Sequence, residues 1–305
     1  MANATVTQTP LGKAAQRQDT LYSIAWRHFR KHRPAMAGLV VLSLLVLSTI
    51  VVPIVTNYDP GKTHILDKYL APSIEHPMGT DGLGRDILVR SMDGGRISLL
   101  VGLSAMLLAI TIGTGIGAMA GFYGGMVDNL LMRLADIMLT IPTLFLAIVL
   151  IQLLRAGVIP FLSAGIAPIV FVIAITSWMP AARLVRAAYL SIKQKEFIEA
   201  ARSAGAKNGR LILRHILPNA MSPIIVAATL RVGAAIITEA GLSFLGMGVQ
   251  PPTATWGNML TNAQSEMDYA PWTAIFPGLF LFITVIAFNY IGDGLRDALD
   301  PHHVQ

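Results

Sequence analysis

Long runs of apolar residues without a charged side chain organise the sequence. Six such segments stand out, the fifth being interrupted by two charged residues: Ala35–Val55, Ile97–Val127, Ile137–Leu154, Ala156–Ala182, His215–Leu245 and Tyr269–Gly292. A helix of roughly 20 apolar residues spans the ~30 Å hydrocarbon core of a bilayer. The pattern therefore predicts an all-α membrane protein with six transmembrane helices, the first of them over residues 35–55.

The composition supports a membrane protein and removes several kinds of chemistry. Hydrophobic residues make up 54% of the 305 residues and charged residues only 13%, about half the usual share of a soluble domain. A soluble fold has too few charges here to cover so much apolar surface. Since the sequence contains no cysteine, disulfides, zinc–thiolate sites and cysteine nucleophiles are excluded.

The basic residues lie mostly on one side of the predicted spans. Most of the 23 Lys and Arg residues precede the first span, separate the fourth from the fifth, or follow the sixth. They are Lys13, Arg17, Arg27, Arg30, Lys31 and Arg33, then Arg183, Arg186, Lys193, Lys195, Arg202, Lys207, Arg210 and Arg214, and finally Arg296. Because such residues accumulate in cytoplasmic loops, we expect both termini in the cytoplasm. The opposite topology would place these cations outside.

This sidedness divides the chain into four parts. Residues 1–34 form a cytoplasmic tail that includes a short amphipathic helix near Leu21–Phe29. Residues 35–55 are the first span, and residues 56–96 form an external loop rich in Gly, Pro and Asp. Residues 97–301 contain the remaining spans, with a basic cytoplasmic loop at residues 183–218.

The cytoplasmic loop contains a helical stretch that ends at a glycine. Residues 194–204 are good helix formers, and three of them share one face: Phe197, Ala201 and Ala204. Gly205 suits the left-handed conformation that ends such a helix, and a second short helix is expected to stop at Pro218. Spacing alone leaves two interpretations open, a partner-binding element and a solvated basic loop.

The external loop carries a second compact pattern, His-Pro-Met-Gly-Thr-Asp-Gly-Leu-Gly-Arg-Asp. The residues singled out in it are Gly79, Thr80, Asp81, Gly84, Arg85 and Asp86. Asp81 and Asp86 flank Arg85, which predicts an ordered turn with an ion pair; an exposed pair contributes ~0–1 kcal/mol. Two compatible roles remain open, a rigid cap over the outer end of a pathway and a docking surface for an external protein.

Together these patterns resemble a known family. Glu199-Ala200-Ala201, then Gly205 and Leu217-Pro218, resemble the EAA loop of ABC importer permeases, although His215 stands where that family usually has isoleucine. The external pattern is similar to that of oligopeptide, dipeptide and nickel permeases. Further matching motifs extend the resemblance to the C-type permease subunit over residues 25–301.

The resemblance implies a function and a set of partners. It implies a type I ABC importer permease fold in the bacterial inner membrane, forming half of a pathway for peptides or related small solutes. The implied partners are a second homologous permease, two cytoplasmic ATPase subunits that bind ATP and Mg²⁺, an external solute-binding protein and membrane lipid, with no nucleic acid. The residues implied to couple to the ATPase are Glu199, Ala200, Ala201, Gly205, Leu217 and Pro218.

Glycines recur every fourth residue along the second predicted span, at Gly113, Gly117, Gly121 and Gly125. Such a side-chain-free ridge lets another helix approach closely, and we favour this packing role over substrate contact. At the start of the third span, Arg133 and Asp136 lie one turn apart and are expected to form a surface ion pair.

Two charged residues lie inside the fifth predicted span. Arg231 falls near mid-bilayer, where an arginine costs at least ~2.5 kcal/mol unless it faces water or a partner. Glu239 lies two turns further on the same face, so both residues are candidates for the pathway. Arg231 is expected either to attract a carboxylate or phosphate group of the solute or to join an interhelical ion pair.

No catalytic or metal-binding pattern appears in the sequence. Gly61-Lys62-Thr63 lacks the first glycine of a phosphate-binding loop, whose position is Thr56, and no histidine pair has metal-ligand spacing within a span. An enzyme is therefore not expected, and we predict no catalytic residue, metal or cofactor on this chain. A self-contained secondary transporter remains the alternative, although Glu239 is the only carboxylate in a predicted span and paired interrupted spans are not evident.

Overall fold

Helices are the main secondary structure of the part that the structure describes, which otherwise contains turns, irregular loops and an isolated β-bridge between Thr80 and Asp86. This computed structural model describes residues 21–56, 59–261 and 263–299. The helices are α1 (Leu21–Lys31), α2 (Arg33–Val55), α3 (Ile87–Tyr123), α4 (Gly125–Thr140), α5 (Thr143–Arg155), α6 (Ala167–Ile175), α7 (Met179–Ile192), α8 (Glu196–Ser203), α9 (Asn208–Arg210), α10 (Leu217–Phe244), α11 (Trp256–Met259), α12 (Ala263–Glu266) and α13 (Trp272–Leu299). Short 3-10 turns lie at Ile65–Asp67 and Pro160–Leu162, and a π-helical stretch, Leu211–Ile216, joins α9 to α10.

Among the described residues, four helices are long and apolar enough to cross a membrane. They are α2, α3, α13 and the continuous helix Asn208–Phe244, which comprises α9, the π-helical stretch and α10. Two further pairs are bent, α4–α5 by 95° and α6–α7 by 48°. When each bent pair is taken as one span, the structure has the six spans that the sequence predicts.

Helix α3 is longer at its N-terminal end than the predicted second span. Helix α3 begins at Ile87, inside the predicted 56–96 loop, rather than at Ile97. Asp86 caps it, since its Oδ1 accepts a hydrogen bond from the Val89 N–H at 2.9 Å. Three charged residues in the first turns, Arg90, Asp93 and Arg96, hid this start from a search for charge-free runs.

The third and fourth spans also differ from their predicted bounds. The predicted Ile137–Leu154 helix is interrupted by Pro142, because a residue before proline avoids the helical region and Ile141 is extended, with φ −84° and ψ 127°. The predicted Ala156–Ala182 helix begins only at Ala167, because Gly157 and Gly165 adopt positive φ in the preceding loop.

Helix α3 packs closely against α7 along three glycines, Gly113, Gly117 and Gly121, which we call the glycine ridge. A Cβ atom added at Gly113 would lie 2.7 Å from Ala181 Cβ, so the two backbones approach in a way that a side chain would prevent. The predicted fourth member, Gly125, does not belong to the ridge. It has φ +54° at the start of α4, and a Cβ added there would meet no atom within 4 Å.

At the N-terminal end, α1 packs beside α2 and α13. Phe29 is buried in a cluster with Ala35, Ile291 and Ala298. Helix α2 begins at Arg33, so the predicted boundary between tail and first span moves back by two residues. The rest of the predicted tail, residues 1–20, and the last residues of the predicted core, 300–301, lie outside the described residues.

Candidate functional site

The short helix α8 is held against the ends of the long helices by a buried isoleucine. Ile198 is fully buried, in a cluster with Leu211 and Ile216. Phe197, predicted to share a face with Ala201 and Ala204, is 45% exposed. The buried contact of α8 is therefore made by Ile198, the neighbour of Phe197.

The predicted coupling residues of α8 surround this buried residue. Glu199 and Ala200 are exposed, and Ala201 is partly buried. Gly205 has φ +85° and follows the end of the helix, where its N–H donates to the Arg202 carbonyl at 2.9 Å. The left-handed backbone at this position favours glycine over any residue with a side chain.

The other predicted coupling residues, Leu217 and Pro218, lie inside a continuous helix. The predicted stop at Pro218 is wrong, because proline is tolerated in the first turn of α10, where it follows a π-helical stretch. The Leu217 N–H donates to the Ile212 carbonyl, whose oxygen also accepts from Tyr189 Oη of α7 at 3.2 Å. The segment after α8 is thus bonded to α7 and runs directly into a membrane-spanning helix.

Ion pairs fix α4 to α7 at the same end of the molecule. Arg186 Nη2 donates to Asp128 Oδ2 at 2.6 Å, in a bidentate pair. Asp136 pairs with Arg183 and not with Arg133, so the predicted Arg133–Asp136 pair is wrong. A pair between residues distant in sequence replaces the local one because α7 lies against α4.

At the other end of α3, residues 59–86, which we call the outer segment, fold into tight turns. Arg85 Nε donates to Asp81 Oδ2 at 2.7 Å, which is the ion pair expected in an ordered turn. Gly79 and Gly84 have φ of +73° and +71°, which explains glycine at both positions. Thr80 Oγ1 accepts from the Leu70 N–H at 2.8 Å and thereby closes the turn.

Asp86 takes no part in an ion pair with Arg85. Its Oδ2 lies 2.8 Å from His76 Nδ1, while its Oδ1 caps α3. The six motif residues are therefore brought together around the start of α3. This helix of 37 residues is about 55 Å long at 1.5 Å per residue, so it separates the outer segment from α8 by more than the ~30 Å thickness of a bilayer core.

Arg231 forms a hydrogen bond at the break between α6 and α7. Its Nη1 donates to the Ser177 carbonyl at 3.1 Å, at the 48° bend between α6 and α7. The cavity beside it measures about 30 Å³, which holds no more than about two water molecules. In this conformation Arg231 satisfies an interhelical contact, although with a backbone carbonyl and not with the carboxylate expected of an ion pair.

Glu239 lies inside the helix packing of this chain. It is fully buried within this chain and accepts hydrogen bonds from Ser243 Oγ at 2.6 Å and Ser98 Oγ at 3.3 Å. Ser98 Oγ in turn accepts from the Trp256 N–H at 3.1 Å. The carboxylate therefore joins α10 to α3 and α11, and it makes no contact with Arg231.

Sequence reasoning missed a cluster of polar residues beside the outer segment. Tyr69 Oη donates to Glu266 Oε1 at 3.1 Å, and Trp272 Nε1 donates to the Thr80 carbonyl at 3.1 Å. The hydrogen bond with Tyr269, burial and the Glu266 carboxylate raise the pKa of Tyr69. Because these partners lie almost 200 residues apart, no local pattern connects them.

The described residues contain no group of three His, Asp or Glu side chains that could hold a metal ion. The functional features that the geometry does provide are two structured ends joined by membrane-spanning helices. Such an arrangement defines a membrane-embedded protein that crosses the bilayer several times.

The comparisons with known proteins agree with this class. The family described as binding-protein-dependent transport system inner membrane component matches residues 113–304, and the N-terminal TM domain of oligopeptide transport permease C matches residues 20–72. The chain belongs to this family of ABC importer permease subunits, which are non-catalytic components of the inner membrane.

Curated relatives match along almost the whole chain. The oligopeptide transport system permease protein OppC of Bacillus subtilis is 42% identical over 95% of this chain and 92% of its own length. The dipeptide transport system permease protein DppC of Alkalihalophilus pseudofirmus is 43% identical over 91% of this chain and 88% of its own. A chain of the inward-facing MetNI methionine ABC transporter shares the fold, with a TM-score of 0.55 at 22% identity, covering 68% of this chain and 94% of that one.

Proposed function

We propose that this chain is the permease subunit of an ATP-driven importer for peptides or related small solutes. The names of the relatives at 42–43% identity, which are oligopeptide and dipeptide permeases, support this solute class. The chain forms half of the translocation pathway, and a second homologous permease forms the other half. Two cytoplasmic ATPase subunits bind ATP and Mg²⁺, and an external solute-binding protein delivers the solute.

Helix α8 is the element that docks into the ATPase. One observation carries this assignment. Helix α8 exposes the residues around Ile198, while the Ile198 side chain is buried against the start of the helix that continues to Phe244. A displacement of α8 on ATP binding would therefore move α10 and, through the Tyr189 hydrogen bond, α7. These helices then alternate between outward-facing and inward-facing arrangements.

The orientation follows from the distribution of charge. Both termini and α8 lie in the cytoplasm, since the basic residues of the 183–218 loop accumulate there. The outer segment then lies outside the cell, where its compact turns serve as a cap over the pathway and as the docking surface for the binding protein. The separation of the two structured ends along α3 supports this arrangement.

Uptake into proteoliposomes tests the function. Vesicles containing both permeases and the ATPase subunits should accumulate a labelled dipeptide only when the binding protein and ATP are supplied on their respective sides. The control replaces ATP by a non-hydrolysable analogue and should give no accumulation. Uptake driven by an ion gradient into vesicles that contain this chain alone would contradict the proposal and favour a secondary transporter.

A further inference from the structure

A cavity of about 290 Å³ lies between the outer segment and the chain that leads into α13. Its wall includes Tyr69, Asp81, Arg85, Arg90, Asn258 and Glu266. This volume is at the lower limit of typical ligand pockets, so the cavity suits only a small ligand. Ionisable side chains of both signs line it, which is unusual for a space formed only by packing.

Two guanidinium groups form part of the cavity wall. Arg85 and Arg90 share a single carboxylate of that wall, with Arg85 Nε and Arg90 Nε at 2.7 and 3.5 Å from Asp81 Oδ2. Arg90 is only 6% exposed, and its Nε makes no hydrogen bond within the described part of the chain. Asp93, on the next turn of α3, also attracts Arg90 but is not part of the cavity wall. Guanidinium groups bind carboxylates in bidentate fashion, so the two arginines suit a carboxylate ligand.

The cavity wall also carries a carboxylate, that of Glu266. Glu266 lies beside Tyr69, which donates to its Oε1. Tyr69 has φ +52°, a strained conformation that non-glycine residues adopt mainly where surrounding structure imposes it, often at ligand sites. Gly82 is part of the same wall, and a Cβ atom added there would lie 3.3 Å from Glu266 Oε1 and would collide with Tyr69 Oη. The absence of a side chain at this position keeps the cavity open.

We propose that this cavity binds a small zwitterion, with a carboxylate against Arg85 and Arg90 and an ammonium group against Glu266. The ligand class is the free termini of a short peptide, held at the outer end of the pathway before it crosses the membrane. This inference rests on the proposed import of peptides, and it adds to that function a site on the permease itself.

Calorimetric titration of the assembled importer without its binding protein tests the site. The probes are dialanine, its N-acetylated form and its C-terminal amide. Dialanine should bind, and either blocked form should bind at least tenfold more weakly. Glu266→Gln keeps an acceptor for Tyr69 but removes the charge, so it should abolish the preference for a free amino group. Glu75→Gln, an exposed acid on the same outer segment that does not line the cavity, is the matched control and should change nothing.

One further variant tests the guanidinium groups of the site. Arg90→Gln should weaken dialanine at least tenfold while leaving the affinity for the amide unchanged. Equal binding of dialanine and its blocked forms, or identical behaviour of Glu266→Gln and Glu75→Gln, would overturn the inference. If ATP-driven dipeptide uptake persists in that case, the inference alone has failed; if no peptide is taken up at all, the proposed function has failed.

Discussion

Replacing Gly117 by alanine should destabilise the protein, whereas the same replacement at Gly115, on the same helix, should not. A Cβ atom at position 117 would lie 2.8 Å from Val185 Cβ and 3.0 Å from the Arg186 nitrogen, and it would also collide with the Ala182 carbonyl. At position 115 no atom lies within 4 Å of the added Cβ. The two substitutions are therefore chemically identical and differ only in the contact with α7.

The magnitude follows from two opposing effects. Forcing an extra methyl group into a close-packed contact costs about 1–3 kcal/mol, because α3 and α7 must separate. Replacing glycine by alanine in an unhindered helix gains roughly 0.5–1 kcal/mol. Because this gain is common to both variants, they should differ in free energy of unfolding by about 1–3 kcal/mol, the cost of the contact with α7, with Gly117→Ala the less stable.

Unfolding by sodium dodecyl sulfate in mixed micelles, followed by tryptophan fluorescence, measures this difference. Trp178 and Trp256 are both buried, so their emission reports the loss of packing. Gly121→Ala serves as a second test, since its Cβ would lie 2.7 Å from Tyr189 Cβ. If Gly117→Ala proved as stable as Gly115→Ala, the close approach of α3 and α7 would be refuted.

Three further predictions concern charged residues. Arg231→Ala should slow ATP-driven uptake into proteoliposomes several-fold, and Arg231→Lys should slow it less, because only the alanine variant leaves the Ser177 carbonyl without a side-chain donor. Unchanged uptake in both variants would argue against the contact. Glu239→Ala should cost about 1–3 kcal/mol of unfolding free energy and Glu239→Gln less, since glutamine keeps an acceptor for the serines; equal losses would contradict this. Asp128→Arg should impair expression of folded protein, and Asp128→Arg with Arg186→Asp should restore it; no rescue would count against a direct pair.

The number of spans was predictable because hydropathy reports directly on transfer into lipid. The first and last residues of each helix were harder to predict. Charges at the outer end of α3 belong to a helix that extends beyond the apolar run, and a search for charge-free segments cannot detect such an extension. The bend before Thr143 was visible in Pro142, yet the apolar run continues through it, so the pattern of hydrophobicity outweighed the local signal.

The side-chain partners were harder to predict than the helices. The motif residues of the outer segment do cluster. This was predictable because glycines with positive φ and a capping aspartate shape the backbone of residues close to them in the sequence. The hydrogen bonds of Glu239 with Ser98 and Ser243 were not predicted, because Ser98 lies on a different helix, 141 residues away in the sequence. The cavity beside the outer segment depends on Tyr69 and Glu266. These two residues meet only through tertiary packing, so no pattern of spacing in the sequence predicts their contact.

Cross-linking of α8 to the ATPase tests the central claim most directly. The chain contains no cysteine, so Ser203→Cys introduces a single reactive site on the exposed end of α8. Ile74→Cys, fully exposed on the outer segment, is the matched control. With co-expressed ATPase subunits that carry one cysteine in their surface cleft, Ser203→Cys should form a cross-link whose yield changes with ATP, and Ile74→Cys should form none. A cross-link from Ile74→Cys but not from Ser203→Cys would contradict both the coupling role of α8 and the proposed orientation.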